Sequence, residues 1–330
     1  MGLIDMLQER LGDRCPTIVF PEGDDAAIIE GAAICRDRGI CKPVILVRNG
    51  KLASEGIDMT GIEIIDPDAM AEKKAAYAAL YEELEDFPAE AVVSMLNDPL
   101  DYALMMCRAG DADGMVGGHI YDSDEVISKG KLYVGLADGV ELASSYNLLE
   151  VPDWDGGERM GGVGHLTAFA DCVLVVQPSS LELANIARNA AHSVQKLLGW
   201  EPKVGMLSFS TKGSAKHADV DKVVEATRIL KELEPDMIVD GELQLDAAIM
   251  PKVYAKKTKA AAGSLGGLSN VVVFPDLDAG NIGCKLVQLY AHANMYGAIL
   301  CGFRKPFIDL SRSMSVTDIV GAAVIVAAQC

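Results

Sequence analysis

The chain has 330 residues, half of them hydrophobic and only 5% aromatic, with a formal net charge of −19. This is ample material for two domains or one large α/β unit, and the dominance of Ala, Val, Ile, Leu and Gly suits helices packed closely on buried parallel strands. The acidic balance, without any run of Lys and Arg, excludes a general nucleic-acid binder, because a phosphate backbone needs a basic stripe.

No basic-then-apolar segment opens the chain, and its longest apolar stretch, Ile319 to Ala328, is about half of what a bilayer span requires. A soluble, cytoplasmic protein with no membrane partner is expected. The eight cysteines lack CxxC or His/Cys zinc spacing, so they read as small core residues in a reducing compartment, with no metal site.

In chain order, Thr17–Phe20 reads as a buried strand that runs into the polar loop Pro21–Asp25, and an alanine-rich helix follows to Arg38. Strands are predicted at 44–47 and 62–65, a charged helix over 70–85, a helix over 103–109 and a strand ending in the glycine turn 114–118. The stretch from Leu149 to Gly164, with Pro152, Trp154 and a glycine cluster, breaks any period and is a candidate hinge. Beyond it the pattern predicts a strand over 170–176, a helix over 179–198, a strand over 203–209, a helix over 220–233, a strand over 237–240, a helix over 243–254, a strand over 271–274, a helix over 282–290 and a strand over 298–301. Short apolar runs alternating with helices are the signature of parallel sheets with crossover helices.

Ligands of open parallel sheets bind beyond the carboxyl ends of the strands. Five polar loops therefore stand out: 21–25, 114–121, 208–217, 275–283 and 302–315. In the third, Ser208, Ser210, Thr211, Lys212, Gly213 and Ser214 offer hydroxyls, a cation and flexible backbone between a strand and a helix, which suits a phosphate or carboxylate. It is not a P-loop, and no GxGxxG follows any predicted strand, which speaks against a Rossmann-type nicotinamide enzyme. In the fourth, Asn281 could supply an amide to a ligand, or Asp278 or Asn281 could merely cap the next helix. Near the carboxyl end, Ser311, Arg312 and Asp318 bring a hydroxyl, a guanidinium and a carboxylate to the start of an apolar helix. Ser315 and Asp318 also stand in capping-box spacing. Of the five histidines only His217, beside the Lys212 loop, attracts a functional reading.

The segments Gly205–His217, Asp240–Gln244, Phe274–Gly283 and Asp309–Arg312, with Val19–Gly23 and Ala112–Val116, closely resemble the phosphate acetyltransferases (phosphotransacetylases, the phosphate acetyl/butyryltransferase family) in order and spacing over nearly the whole chain. The resemblance implies an α/β fold of two three-layer α/β/α domains with mainly parallel sheets and an interdomain cleft. The first would hold residues 1–149 plus 302–330 and the second 150–301. It implies transfer of an acetyl or short acyl group between acyl phosphate and coenzyme A, the latter a co-substrate with no tightly bound cofactor, and a homodimer. Carried over position by position, Asp318 would be the base for the thiol, Ser311 would orient it and Arg312 would hold the phosphoryl end. Ser210, Thr211, Lys212, Gly213, Ser214 and Asn281, with Ser128 and Lys129 from the first domain, would bind substrate.

The first domain departs from the family. Arginines that commonly meet the anionic substrates are replaced by Ala27, Ser128 and the acidic Glu82–Asp86 stretch. Lys129 and Lys131 could stand in as point charges, though not as bidentate forks. Two alternatives follow: a non-catalytic relative that binds acyl phosphate or coenzyme A esters, and a metal-dependent decarboxylating dehydrogenase of similar architecture.

Overall fold

The computed structural model describes residues 2–152, 165–258 and 265–330. The chain divides into two compact units, one comprising Ile4–Asp138 and Phe303–Cys330, the other built on Gly139–Gly302. The elements run α1 (Leu3–Leu11), β1 (Thr17–Phe20), α2 (Ala26–Asp37), β2 (Lys42–Leu46), β3 (Glu63–Ile65), α3 (Ala71–Glu85), α4 (Ala89–Met95), α5 (Pro99–Ala109), β4 (Gly114–Gly117) and α6 (Ser123–Tyr133). The next are β5 (Ser144–Val151), β6 (His165–Ala170), α7 (Ser180–Leu198), β7 (Lys203–Leu207), α8 (Ala218–Leu233), β8 (Ile238–Leu243), α9 (Leu245–Ile249), α10 (Pro251–Thr258), β9 (Val271–Val273), α11 (Leu277–Tyr290) and β10 (Asn294–Cys301). The carboxyl-terminal segment adds β11 (Phe307–Asp309) and α12 (Val316–Gln329).

In the unit comprising Ile4–Asp138 and Phe303–Cys330, the strands lie in the order β3-β2-β1-β4-β11, and every pairing is parallel. Parallel strands need crossover connections, and here α2, α3 to α5 and the long return to β11 supply them. Helix α12 packs on α2 and on β1, β4 and β11, and Ile319 to Gln329 is buried throughout. A helix apolar on all sides belongs inside a protein, which explains the hydrophobic end of the sequence. Helix α5 is fixed at both ends: Asp98 accepts the amides of Leu100 and Asp101, Pro99 opens the first turn, and Gly110 closes the last with φ 83°.

The other unit has the strand order β10-β5-β6-β9-β7-β8, with β5 antiparallel to both neighbours and the remaining pairings parallel. Its core joins Leu149, Phe169, Leu207, Leu243, Val272 and Phe274, and the Phe169 and Phe274 rings meet at 5.3 Å. Helix α7 starts on a complete capping box of Ser179 and Glu182 and ends at Gly199 in the left-handed region. No described helix is long and apolar enough to cross a membrane.

Several boundaries differ from the sequence reading. The strand expected over 170–176 is β6, His165–Ala170. It stops because the Asp171 carboxylate accepts the amides of Val173, Leu174 and Val175 and turns the chain. The helix expected over 243–254 is two, α9 and α10, since Pro251 cannot continue the first. Helix α11 begins at Leu277 because Asp276, rather than Asp278 or Asn281, accepts the Ala279 amide as its cap. Most of the candidate hinge, residues 153–164, lies outside the described residues.

Candidate active site

In the first unit, the loop after β4 wraps a carboxylate in the loop after β1. Glu22 is buried and accepts N–H bonds from Gly118 (3.2 Å), His119 (3.1 Å), Ile120 (2.6 Å) and Tyr121 (3.3 Å). Burial raises its pKa, and these four backbone donors pull the other way. Gly118 allows this turn because it sits at φ +104°, where a Cβ would strike Asp309 Oδ1 at 2.3 Å. Asp309, at the end of β11, is itself buried, with its Oδ1 unpartnered. Burial pushes its pKa up to about 6, against the Ser123 hydroxyl that steadies its charge.

His119 ties these loops to the segment that carries Ser311 and Arg312. Its Nδ1 lies 2.8 Å from Asp25, the cap of α2, and its Nε2 lies 3.2 Å from the Met314 carbonyl. Burial disfavours the charged ring, yet Asp25, the Met314 carbonyl and Glu22 together raise its pKa. Both ring partners are acceptors, so only the imidazolium satisfies both. Sequence reading overlooked this residue, whose partners lie far away in the chain. The one available signal was its place directly after a strand, opposite the acidic 22–25 loop.

The three carboxyl-terminal candidates are exposed, each with its own partner. The Ser311 and Ser313 hydroxyls are 3.1 Å apart. Arg312 donates to Asp122, at the start of α6. Asp318 and Ser315 form a complete capping box at the start of α12. Ser128 is exposed on α6 and donates to the Glu125 carbonyl. Lys129 is not a free cation: its ammonium is shared by Asp98 (3.2 Å), Asp101 (2.9 Å) and Glu125 (2.8 Å). Beside these groups a cavity of ≈ 290 Å³ is lined by Glu22, Arg48, Asp98, Tyr121, Asp122 and Glu125, among others. Arg48, its one cation, is held by Asp98 and by the Tyr121 hydroxyl.

The remaining candidates lie in the other unit, where the loop after β7 folds onto β8. Ser210 and Thr211 are buried. The Ser210 hydroxyl (3.0 Å) and the Gly213 amide (2.7 Å) both donate to Glu242 Oε1, and Thr211 exchanges hydrogen bonds with Gln244. The Ser214 hydroxyl accepts the Thr211 amide, and Lys212, at φ +48°, donates to Asp240 and to the Gly241 carbonyl. An internal carboxylate thus takes up donors that the sequence offers to an anion. His217 caps α8 by accepting the Asp219 amide on Nδ1. Asn281 donates to the Cys172 carbonyl at 3.1 Å, and Gly280 beside it lets α11 press on the 171–172 turn, where a Cβ would sit 2.1 Å from the Asp171 carbonyl oxygen.

Residues 3–327 match the phosphate acetyl/butaryl transferase family. The chain belongs to that family. The phosphate acetyltransferase of Thermoanaerobacterium thermosaccharolyticum is 41% identical over 337 residues, covering 100% of this chain and 99% of the relative. Among solved structures, the EutD phosphotransacetylase from Staphylococcus aureus superposes with a TM-score of 0.88 at 34% identity, covering 99% of this chain and 98% of that one. A phosphotransacetylase from Streptococcus pyogenes gives 0.88 at 36% identity, covering 99% and 97%. Family membership thus extends over both units, the divergent first one included.

Proposed function

We propose that the chain is a phosphate acetyltransferase that moves an acetyl group between acetyl phosphate and coenzyme A. The observation that carries this reading is the full-length family match, together with an exposed Ser311, Arg312 and Asp318 around the start of α12. In the reaction the thiol loses its proton to Asp318, and the thiolate attacks the acyl carbon. The C–S bond forms as the bond from the acyl carbon to the bridging oxygen breaks, phosphate leaves with that oxygen, and Asp318 releases its proton to solvent. Arg312 holds the phosphoryl end and Ser311 orients the thiol. An acyl phosphate already carries a good leaving group, so the enzyme supplies chiefly alignment and charge stabilisation. An aspartate near pKa 3.9 and a thiol near 8.5 differ by about 4.6 units, or roughly 6 kcal/mol in water. A cation beside the sulfur narrows that gap.

Ser210, Thr211, Lys212, Gly213, Ser214 and Asn281 are substrate-binding residues on this reading, and Ser128 contributes from the first unit, whereas Lys129, expected there as well, has its ammonium committed to three carboxylates. Coenzyme A acts as co-substrate in the cytoplasm. An exposed apolar stripe on α11, formed by Ile282, Leu286, Leu289 and Tyr290, supports a homodimer, since such stripes mark association surfaces. Thioester formation from acetyl, propionyl and butyryl phosphates with coenzyme A tests the activity and the chain-length preference together. Turnover that is lost in Ser311→Ala and Arg312→Ala supports the reading, and no turnover on any of the three phosphates defeats it.

A further inference from the structure

Asp122 occupies the cap position of α6 with an extended backbone, φ −77° and ψ 143°, yet its side chain caps no amide. Asp25, Asp98 and Asp276, at the same position of α2, α5 and α11, all accept amides of their own helices. The Asp122 carboxylate turns instead to the Arg312 guanidinium. Both side chains are largely solvated, at 76% and 62% exposure, and exposed ion pairs open at little cost.

We propose that Asp122 is a specificity-determining residue: it competes with anionic substrate for Arg312 and so sets the anion affinity of the site. The inference rests on the reading of Arg312 as the phosphoryl-holding group. An incoming phosphoryl group must take the guanidinium from a tethered carboxylate, and the surroundings do not relieve the negative field. Glu125 and Asp24 line the cavity that Asp122 borders, and the charge of Arg48 there is already engaged by Asp98. Once displaced, Asp122 is free to return to the uncapped amides of α6, which offsets part of the lost pair. The sequence hides this arrangement, because Asp122 reads as an ordinary helix cap and its partner lies at the far end of the chain.

Asn caps a helix as well as Asp does, so Asp122→Asn removes the competitor and keeps the fold. In calorimetric titration with inorganic phosphate at low salt, Asp122→Asn binds about three- to tenfold more tightly than wild type, from loss of the pair and relief of like-charge repulsion. Adding Arg312→Ala to that variant erases the gain. The KM for acetyl phosphate falls in parallel while the melting temperature holds, which a merely structural role does not produce. Equal or weaker phosphate binding in Asp122→Asn overturns the proposal, and so does the absence of phosphate binding in both proteins. Phosphate binding that tightens without any acyl transfer keeps this inference and defeats the catalytic reading instead.

Discussion

The Ser315 hydroxyl and amide both bond to a single oxygen of Asp318, Oδ2, at 2.7 and 2.9 Å. Oδ1 stands outside the capping box. The helix cap and the proton acceptor proposed for this carboxylate therefore fall on different atoms. The cap fixes the carboxylate at the start of α12 while leaving Oδ1 outside it.

That division predicts opposite outcomes for two variants. Asp318→Asn keeps an acceptor for Ser315 and removes the base, so kcat falls by about 10²–10⁴ with little change in melting temperature. Ser315→Ala loses the cap, costs about 1 kcal/mol of stability, and retains most turnover. Paired kinetics and thermal melts check both, and a Ser315→Ala variant as inactive as Asp318→Asn contradicts the assignment.

His119 predicts a pH dependence. Its folded pKa is raised, so its contribution to stability is fully present below the ordinary imidazole value of about 6.5 and is lost as pH rises through the higher folded value. Melting temperature should fall across that window in wild type, and His119→Gln should flatten the fall. An unchanged pH profile in the variant rules out the tether between Asp25 and the Met314 carbonyl.

Lys129 should prove structural. With its ammonium shared by three carboxylates, Lys129→Ala leaves Asp101, whose pKa burial already pushes up to about 6, without its cation. A loss of about 2 kcal/mol of stability is expected, measurable by urea unfolding. A rise in the KM for coenzyme A with unaltered stability would instead make Lys129 a substrate contact.

Asp309 predicts a gain. Its pKa rises from 3.8 to about 6 in the fold, so stability tied to this group is present below about pH 4 and lost as pH rises through 6. Asp309→Asn removes that loss and should stabilise the protein at pH 7 by on the order of 2 kcal/mol. A destabilised variant would show that the carboxylate is needed charged, beside Glu22 and Gly118.

Much of the fold was legible because local chemistry announced it. Runs such as Thr17–Phe20 and Val271–Val273 became buried parallel strands, and the Ser315/Asp318 spacing became the cap of α12. The misplaced boundaries arose where one residue decided the outcome: Pro251 split a helix, Asp276 started α11 early, and Asp171 ended β6. The candidate site was read from motifs, and its partnerships were not legible. His119 meets Met314 across nearly two hundred residues, and Asp122 meets Arg312 over a similar span, distances that no local pattern encodes. The Glu242 carboxylate that takes the Ser210 and Gly213 donors likewise belongs to a different strand.

The most direct test of acyl transfer is the initial rate of acetyl-coenzyme A formation from acetyl phosphate and coenzyme A, with wild type and Asp318→Asn run in parallel as folded proteins of matched melting temperature. Thioester formation by wild type that collapses in the variant is the predicted result. A wild-type rate no greater than the uncatalysed one, or equal rates in the two proteins, contradicts the account.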